Sequence, residues 1–427
     1  MILEQTAKFD SLARIPARLL SRTQSGIIDT SITFNQWVFD IPSTHKLQNK
    51  EKLGMKRYLA TLLAVFFATG TAFAADTLKV GVQAPITGSY ANEGQGIENG
   101  VRLLAEQINA KGGVLGKQIE VIVCDDQGTA MAAAICAKDL VNKGVSMVIG
   151  SYTSTCAEAA QKTYFDAGIL QTSDGTADAL TEKGYWTFLR NSFPNSAEAE
   201  FAANYMVNVK KYKNIVVLSD FSTYADGLGN ATEAAIKKLG GNVVARDKIK
   251  ADSQNFTPVL TNIKSKNPDV IFYAGYYSDG GLLRAQQMGL GIKADFIGGD
   301  ANDNPDFVKL AGSAAKDAFI INVPSPDVLP YEIAKSFIAD YQKKYGEMPP
   351  SIWGLMNIDG MRAIIHAMEQ NKSFDTKKAA DYLHNMKEPL PGITGPIAFA
   401  KDGNRKGGAY VVKKIQANGE YSHEYVQ

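Results

Sequence analysis

A hydroxyl-rich loop stands between two apolar runs in the stretch VIGSYTSTCAEAA, residues 148–160. The apolar run 145–149 predicts a buried strand, Gly150 ends it, and an Ala-rich helix is predicted to begin near Ser154. The first N–H groups of a helix lack internal partners and carry partial positive charge, so this loop suits a small carboxylate. Capping of the helix by Ser154 or Thr155 is the simpler explanation of the same hydroxyls.

Aromatic and acidic side chains follow three other predicted strands. Tyr224 comes after the strand that ends at Ser219, Tyr276 comes after VIFYAG, and Asp300 comes after FIGG. Each position alone is typical of a protein surface. Together, at one edge of a sheet, they would supply apolar walls with polar tips and a negative charge, a combination that suits a zwitterion.

The sequence offers no convincing catalytic or metal-binding group. Its four His residues stand at positions 45, 366, 384 and 423, and no Ser/His/Asp or Cys/His pairing is evident. Gly94, Gly96 and Gly100 resemble a dinucleotide fingerprint, but they begin too far after the strand and the third Gly is one place late. Asp125 and Asp126 favour a helix cap over a cation site. We therefore predict no catalytic residue, no cofactor and no metal.

Strands alternate with helices in two consecutive series, which begin at Leu78 and near Asn195. This alternation predicts parallel sheets covered by helices on both faces, arranged as two α/β lobes. Two strands, 396–400 and 409–415, are predicted to close the chain. Ligands of parallel sheets bind beyond the carboxyl ends of the strands. The loops expected to face a shared cleft are those at Gly150, Ser219, Gly275 and Gly299.

The beginning of the chain carries an export signal. Residues 55–57, Met-Lys-Arg, precede an uncharged apolar run that ends in Ala72-Phe73-Ala74, which is typical of a secretory signal peptide cleaved after Ala74. A transmembrane anchor is the less favoured interpretation, because the run is short. A signal peptide normally begins a chain, so we interpret residues 1–54 as an over-extended start.

Composition adds few constraints. The length of 427 residues predicts two or more domains, and a formal net charge of +1 gives no basic excess that would indicate nucleic-acid binding. In an oxidising compartment two of Cys124, Cys136 and Cys156 could pair, and three buried free thiols are the alternative. The sequence does not give the connectivity.

Seven motifs in the exported part of the chain resemble one protein family. These are VGVQAPITGSYANEGQ, INAKGGVLGKQIEVIVCDDQ, VIGSYTS, GILQTSDGTADALT, the loop at Tyr224, AGYYSDGG and FIGGD. In this order they are similar to the periplasmic substrate-binding proteins of branched-chain amino acid ABC transporters, the leucine/isoleucine/valine-binding type.

The resemblance implies the type I periplasmic binding protein fold, in which two flavodoxin-like α/β lobes are joined by three crossovers and close on a ligand. Lobe one would comprise residues 75–194 and 325–395. Lobe two would comprise residues 195–324 and 396–427.

The resemblance also implies ligand contacts. Ser154, next to Thr155, matches the hydroxyl that meets the α-carboxylate, and Thr176 matches a threonine that helps to hold both head groups. Asp174 falls where the family uses a backbone carbonyl on the ammonium, and Asp300 takes the place of the acidic residue that neutralises it. The matches to aromatic residues of the second lobe are Tyr224 and Tyr276.

Two departures from the family pattern concern the ligand's side chain. Glu93 stands where leucine-binding relatives carry an aromatic residue that covers the ligand, and Tyr90 or Trp353 is expected to compensate. Asp174 adds a side-chain carboxylate beside the pocket. The site for the amino-acid head group is kept.

We therefore expect a non-enzymatic, monomeric periplasmic protein that captures an L-amino acid, with Leu, Ile and Val as first candidates. It would deliver this ligand to the permease subunits of an ABC importer in the inner membrane. The same scaffold binding an amide, urea or an aromatic acid is the nearest alternative. A sensory receptor domain is disfavoured because no transmembrane helix follows the binding region, and an exported enzyme is disfavoured by the shortage of His.

Overall fold

The computed structural model describes residues 76–426, which form two lobes, each built on a mainly parallel sheet. The predicted signal peptide 55–74 and the upstream residues 1–54 lie outside this range. Within residues 76–426, no helix is long and apolar enough to cross a membrane.

The first sheet has five parallel strands in the order β2-β1-β3-β4-β5. Their bounds are β1 Leu78–Ala84, β2 Ile119–Asp125, β3 Met147–Ile149, β4 Leu170–Ser173 and β5 Phe188–Arg190. This is the flavodoxin-like order, in which ligands bind where the winding direction reverses, here between β1 and β3.

Seven helices pack around this sheet, and three of them come from a later part of the chain. Their bounds are α1 Ala91–Asn109, α2 Ala130–Asn142, α3 Ser154–Asp166, α4 Ala179–Glu182, α10 Glu332–Tyr345, α11 Ile352–Asn371 and α12 Thr376–His384. The long helix α11 packs on α1 and on β3 and β4. It is buried along most of its length, which agrees with its apolar sequence.

The Gly94, Gly96 and Gly100 pattern is a packing feature of α1. A Cβ on Gly94 would lie 2.0 Å from the carbonyl oxygen of Pro85, and a Cβ on Gly100 would lie 2.3 Å from Ile358 Cδ1. These glycines therefore let α1 approach the end of β1 and the helix α11. They lie inside a helix and not in the tight strand-to-helix turn that a dinucleotide site needs.

The second sheet repeats the flavodoxin-like order in β7-β6-β8-β9-β10 and adds two antiparallel strands, β11 and β12, beyond β10. The strand bounds are β6 Ile215–Ser219, β7 Val243–Lys248, β8 Val270–Ala274, β9 Asp295–Gly298, β10 Phe319–Asn322, β11 Val411–Ile415 and β12 Tyr421–Val426. The helices are α5 Asn195–Asn204, α6 Thr223–Lys238, α7 Thr257–Lys264, α8 Tyr277–Gly289 and α9 Pro305–Ala311.

The chain passes between the two lobes three times: after β5, after β10 and before β11. The two lobes with three crossovers are as predicted, and the assignment of individual residues to the boundaries at 194, 324 and 395 stays a prediction. The predicted strand 396–400 is wrong, because Ile397 and Phe399 make only isolated bridges. The polar strand β12 was not predicted.

A disulfide joins Cys124, in β2, to Cys136, in α2, with their Cα atoms 5.6 Å apart. Cys156 is a buried free thiol in α3. The structure therefore settles the pairing that the sequence left open.

Candidate ligand-binding site

A small cavity lies between the two lobes, at the carboxyl ends of their strands. The residues that line it are Tyr152, Ser154, Asp174, Thr176, Tyr224, Tyr276, Asp300, Ala301 and Trp353. Its volume of about 20 Å³ is that of about one water molecule, so entry of any larger molecule requires the lobes to separate. Seven of the ten predicted site residues line this cavity, and Tyr90, Glu93 and Thr155 do not.

The turn before α3 brings the donor groups of the first lobe to the cavity. Gly150 follows β3 with a φ of 110°, a conformation that favours glycine. A Cβ at this position would lie 1.9 Å from the carbonyl oxygen of Gln83. The glycine therefore allows the chain to leave the sheet sharply and to begin α3 at the cavity wall.

The N-terminus of α3 separates the roles of three neighbouring hydroxyls. Thr153 is the cap, because its Oγ1 accepts a hydrogen bond from the N–H of Cys156 at 3.2 Å. Ser154 lines the cavity, and its Oγ accepts a hydrogen bond from the N–H of Ala177 at 3.2 Å. Capping by Ser154 or Thr155, the simpler explanation of these hydroxyls, is therefore wrong.

Thr155 points to the contact between the lobes. Its Oγ1 accepts a hydrogen bond from the N–H of Thr223 at 3.1 Å, at the first residue of α6. The hydroxyl of Thr223 donates to Glu158 Oε2 at 2.9 Å. These bonds tie α3 to α6 across the cleft.

A buried guanidinium shapes the loop that carries Asp174 and Thr176. Arg190 is fully buried, and it donates to the carbonyl oxygens of Gly175 and Ala177, both at 2.8 Å. Burial lowers the pKa of Arg190 to about 10. With its donors directed to the backbone, Arg190 fixes the loop without lining the cavity.

The Asp174 carboxylate faces the cavity without a hydrogen-bond donor. Asp174 is 2% exposed, and neither of its side-chain oxygens accepts a hydrogen bond within residues 76–426. Burial raises its pKa well above the usual range, and the nearby amide of Asn357 has a smaller, opposite effect. No Lys or Arg in the described part of the chain lines the cavity.

Asp300 supplies a second carboxylate, from the other lobe. It follows β9, is 1% exposed, and neither carboxylate oxygen has a donor in the described range. Its backbone N–H donates to Glu198 Oε1 at 3.0 Å, and Glu198 is itself fully buried in α5. Burial raises the pKa of both carboxyl groups, and that of Glu198 rises further because Asp300 is beside it.

Four tyrosines form a cluster across the cleft. The ring centroid of Tyr276 lies 4.6 Å from that of Tyr90, 5.0 Å from Tyr224 and 5.8 Å from Tyr152. Tyr90 stands behind Tyr276 and joins the first lobe to the second. Trp353, near the start of α11, forms another aromatic part of the wall.

Glu93 is placed behind the cavity and not in its wall. Its Oε1 accepts a hydrogen bond from Asn304 of the second lobe at 2.6 Å, and its Oε2 accepts one from Ser351 at 2.6 Å. Burial raises the pKa of Glu93 to about 7. The Glu93 carboxylate thus makes a polar contact between the lobes.

Four residues of the site had no role in the sequence prediction. Tyr152 and Ala301 lie in the wall, Arg190 holds the Asp174 loop, and Glu198 accepts a hydrogen bond from the N–H of Asp300. A signal existed for Glu198, because it lies one helical turn from Phe201 and Ala202, on the buried side of α5. Arg190 is the last residue of the short strand β5, and a charged residue at a strand end is usually exposed, so nothing in the sequence indicated its burial.

The chain is similar to several known proteins. A family model described as a periplasmic binding protein matches residues 77–420. The Leu/Ile/Val-binding protein of Escherichia coli strain K12 is 29% identical over 365 residues, which cover 85% of this chain and 97% of that protein.

Solved structures resemble the whole described region. The branched-chain amino acid transporter substrate binding protein LivJ from Streptococcus pneumoniae, in complex with isoleucine, is 29% identical with a TM-score of 0.74, covering 82% of this chain and 99% of that one. A solute binding protein of an ABC transporter from R. palustris, in complex with benzoate, has a TM-score of 0.74 at 17% identity, covering 82% and 96%. The second likeness is one of fold alone.

Proposed function

This chain belongs to the periplasmic binding protein family, and we propose that it captures an L-amino acid between its two lobes for delivery to an ABC importer. It is a binding protein and not an enzyme. Leu, Ile and Val are the first candidate ligands, since the E. coli relative is named for them and the S. pneumoniae structure holds isoleucine.

The observation that carries this proposal is the unpartnered carboxylate of Asp300 in the wall of a buried cavity. A buried carboxylate is unfavourable unless a donor or a cation compensates it. No cationic side chain of the described residues lines the cavity, so the compensating charge has to come from the ligand. The α-ammonium of an amino acid provides both the charge and the hydrogen-bond donors.

The first lobe offers complementary groups for the α-carboxylate. Ser154 is the first residue of α3, where backbone N–H groups carry partial positive charge. The hydroxyl of Thr176, on the loop held by Arg190, lies in the same wall. A zwitterion would therefore meet donors on one lobe and Asp300 on the other.

Contacts to both lobes explain how binding favours closure. Tyr224 and Tyr276 belong to the second lobe, so they reach the ligand only when the lobes are together. A ligand shifts an open-to-closed equilibrium only by its differential affinity for the two states. Asp300, Tyr224 and Tyr276 are the groups that would supply this difference.

An aromatic acid or a neutral amide fits the cavity less well. Asp174, Asp300 and Glu198 place three carboxyl groups at or directly behind its wall, which is unfavourable for an anion that brings no ammonium. An amide would offer N–H donors but no positive charge. These ligands remain the comparison set for the test.

Delivery of the ligand to an ABC importer implies where the protein acts and which proteins it contacts. We infer a periplasmic location, with the signal peptide removed after Ala74, and ABC permease subunits in the inner membrane as the receptors of the loaded protein. The protein would act as a monomer, since each chain contains both halves of its cleft.

Thermal unfolding of the purified protein tests this function. The protein is unfolded and refolded to remove any carried ligand, and its melting temperature is measured with each L-amino acid, with D-leucine, with urea and isobutyramide, and with benzoate. A ligand that binds only the native state raises the melting temperature. We expect an increase with at least one L-amino acid and none with benzoate. An increase with benzoate or an amide alone would contradict the proposal.

A further inference from the structure

The cavity contains one carboxylate more than an aliphatic amino acid needs. Asp300 is enough to balance the α-ammonium, yet the carboxylate of Asp174 also lies in the wall. Both oxygens of Asp174 lack a donor within residues 76–426, and the side chain is 2% exposed. The inference below rests on the proposed function, because it concerns the side chain of the same ligand.

The buried guanidinium of Arg190 does not compensate Asp174. Arg190 donates to backbone oxygens at Gly175 and Ala177, and its Nε donates to Asn404 Oδ1 at 2.7 Å. None of its hydrogen bonds goes to Asp174. Asp174 therefore depends on the cavity for a donor.

Asp174 lies beside the aromatic part of the cavity wall. Asn357, one turn after Trp353 in α11, is close to Asp174, and its Nδ2 donates to the carbonyl oxygen of Trp353 at 3.2 Å. Burial raises the pKa of the Tyr152 phenol well above its usual range, and the nearby Asp174 carboxyl adds a smaller effect in the same direction. Tyr152, Trp353 and Asp174 line the same cavity, so a ligand side chain that packs on the two rings would also meet Asp174.

We propose that Asp174 is a specificity-determining residue that accepts a hydrogen bond from the ligand's side chain. The preferred ligand is an amino acid whose short side chain carries a hydroxyl or an ammonium group, over the aliphatic amino acid of the same shape. An aliphatic side chain would exclude water from Asp174 and offer no donor. A site built around a polar contact discriminates strongly against an analogue that leaves its polar group unpaired.

Isosteric ligand pairs test this inference by calorimetric titration of the refolded protein. Threonine is compared with valine, which has a methyl group in place of the hydroxyl. A cationic pair, 2,4-diaminobutyrate and 2-aminopentanoate, which has a methyl group in place of the terminal ammonium, distinguishes an ammonium from a hydroxyl. We expect the wild type to bind the donor-bearing member of at least one pair about tenfold or more tightly than its partner.

The variant Asp174→Ala should remove this preference and bring the affinity ratio within the pair close to one. Asp174→Asn keeps the shape of the side chain and retains an acceptor, so it should reduce the preference for the ammonium ligand more than that for the hydroxyl ligand. Asp166→Asn, at an exposed position on α3, is the matched control and should change nothing. Melting temperatures without ligand establish that each variant is folded.

Four outcomes overturn the inference. Equal affinity of the wild type for both members of both pairs would mean that Asp174 does not select for a donor on the ligand's side chain, and amino-acid binding itself would still stand. An unchanged preference in Asp174→Ala assigns the selection to another residue. Equal weakening of threonine and valine in Asp174→Ala would mean that Asp174 helps to hold the α-ammonium. Absence of binding by any amino acid would remove the proposed function and this inference together.

Discussion

The backbone N–H of Asp300 donates a hydrogen bond to Glu198 Oε1 at 3.0 Å, so that two buried carboxyl groups lie side by side on the second lobe. Like charges in contact do not both ionise easily, and burial increases that cost. Burial raises the pKa of Asp300, and the Tyr224 hydroxyl and, after it, Glu198 lower it, whereas the pKa of Glu198 is raised well above its usual range, so Glu198 keeps its proton more readily than Asp300 does. Glu198 would then be a positioning residue for the carboxylate that faces the cavity.

This pairing predicts different effects for two substitutions of Glu198. Glu198→Gln keeps an acceptor for the Asp300 N–H and is uncharged, as a protonated Glu198 is, so ligand affinity should stay within about threefold. Glu198→Ala removes this acceptor and should weaken binding at pH 7 by about tenfold or more. Titrations at several pH values provide the second readout. In Glu198→Ala the loss should grow as pH falls, since Asp300 is then more easily protonated, and a pH-independent loss would contradict the positioning role.

Glu93 predicts a pH-dependent difference in stability between the wild type and Glu93→Gln. The folded protein holds the pKa of Glu93 at about 7, above the usual 4.5, so the folded state keeps a proton that the unfolded chain releases. The stabilisation that this bound proton provides is therefore complete below about pH 4.5 and is lost as pH rises to about 7. In urea unfolding, the free energy of unfolding of Glu93→Gln should rise relative to that of the wild type by up to about 3 kcal/mol over this interval.

The exposed Glu332→Gln, at the start of α10, is the control for this experiment and should show no such trend. A difference between Glu93→Gln and the wild type that stays constant from pH 4.5 to 8 would mean that Glu93 does not titrate between the lobes. Comparison with the wild type cancels the contributions of the other carboxyl groups.

The close packing around the glycines of α1 predicts that adding a single methyl group to one of them destabilises the protein. Gly94→Ala would place its Cβ 2.0 Å from the carbonyl oxygen of Pro85, which cannot move without shifting the end of β1. We expect a loss of about 1–3 kcal/mol in the free energy of unfolding. Gly289→Ala, at the end of α8 with open space around it, should be neutral or slightly stabilising. Similar values for both would contradict the close packing of α1.

The N-terminus of α3 predicts a separation of stability from affinity. Thr153→Ala removes the cap of α3 and should lower the free energy of unfolding by about 1 kcal/mol. Ser154→Ala leaves the buried N–H of Ala177 without its acceptor, so it should lower the free energy of unfolding by about 1–3 kcal/mol and, unlike Thr153→Ala, also weaken binding of the amino acid. Chemical unfolding and calorimetric titration of both variants give the comparison. A loss of affinity in Thr153→Ala and not in Ser154→Ala would mean that Thr153, and not Ser154, contacts the ligand.

Much of the fold could be predicted because its signals are local. Apolar runs such as 145–149 and the helical pattern of α1 follow from periodicity, and the alternation of strands and helices implies parallel sheets. The strand β12 was missed since its residues are mostly polar and lie at an exposed edge. The predicted strand 396–400 failed because apolar residues there pack as single bridges in a crossover.

The site was predicted unevenly for a physical reason. Residues such as Ser154, Tyr276 and Asp300 follow strands directly, and topology brings strand ends together. Glu93 and Glu198 act through partners far away in the sequence, Asn304 and Asp300, and a single sequence does not report such pairs.

The most direct test of amino-acid capture is the affinity of Asp300→Asn for the amino acid that most raises the melting temperature of the wild type. Loss of the charge that balances a buried ammonium should cost about 2–5 kcal/mol, which is at least about thirtyfold in the dissociation constant. The exposed Asp166→Asn should bind as the wild type does. An affinity of Asp300→Asn equal to that of the wild type would contradict the account, since the ammonium would then be held elsewhere.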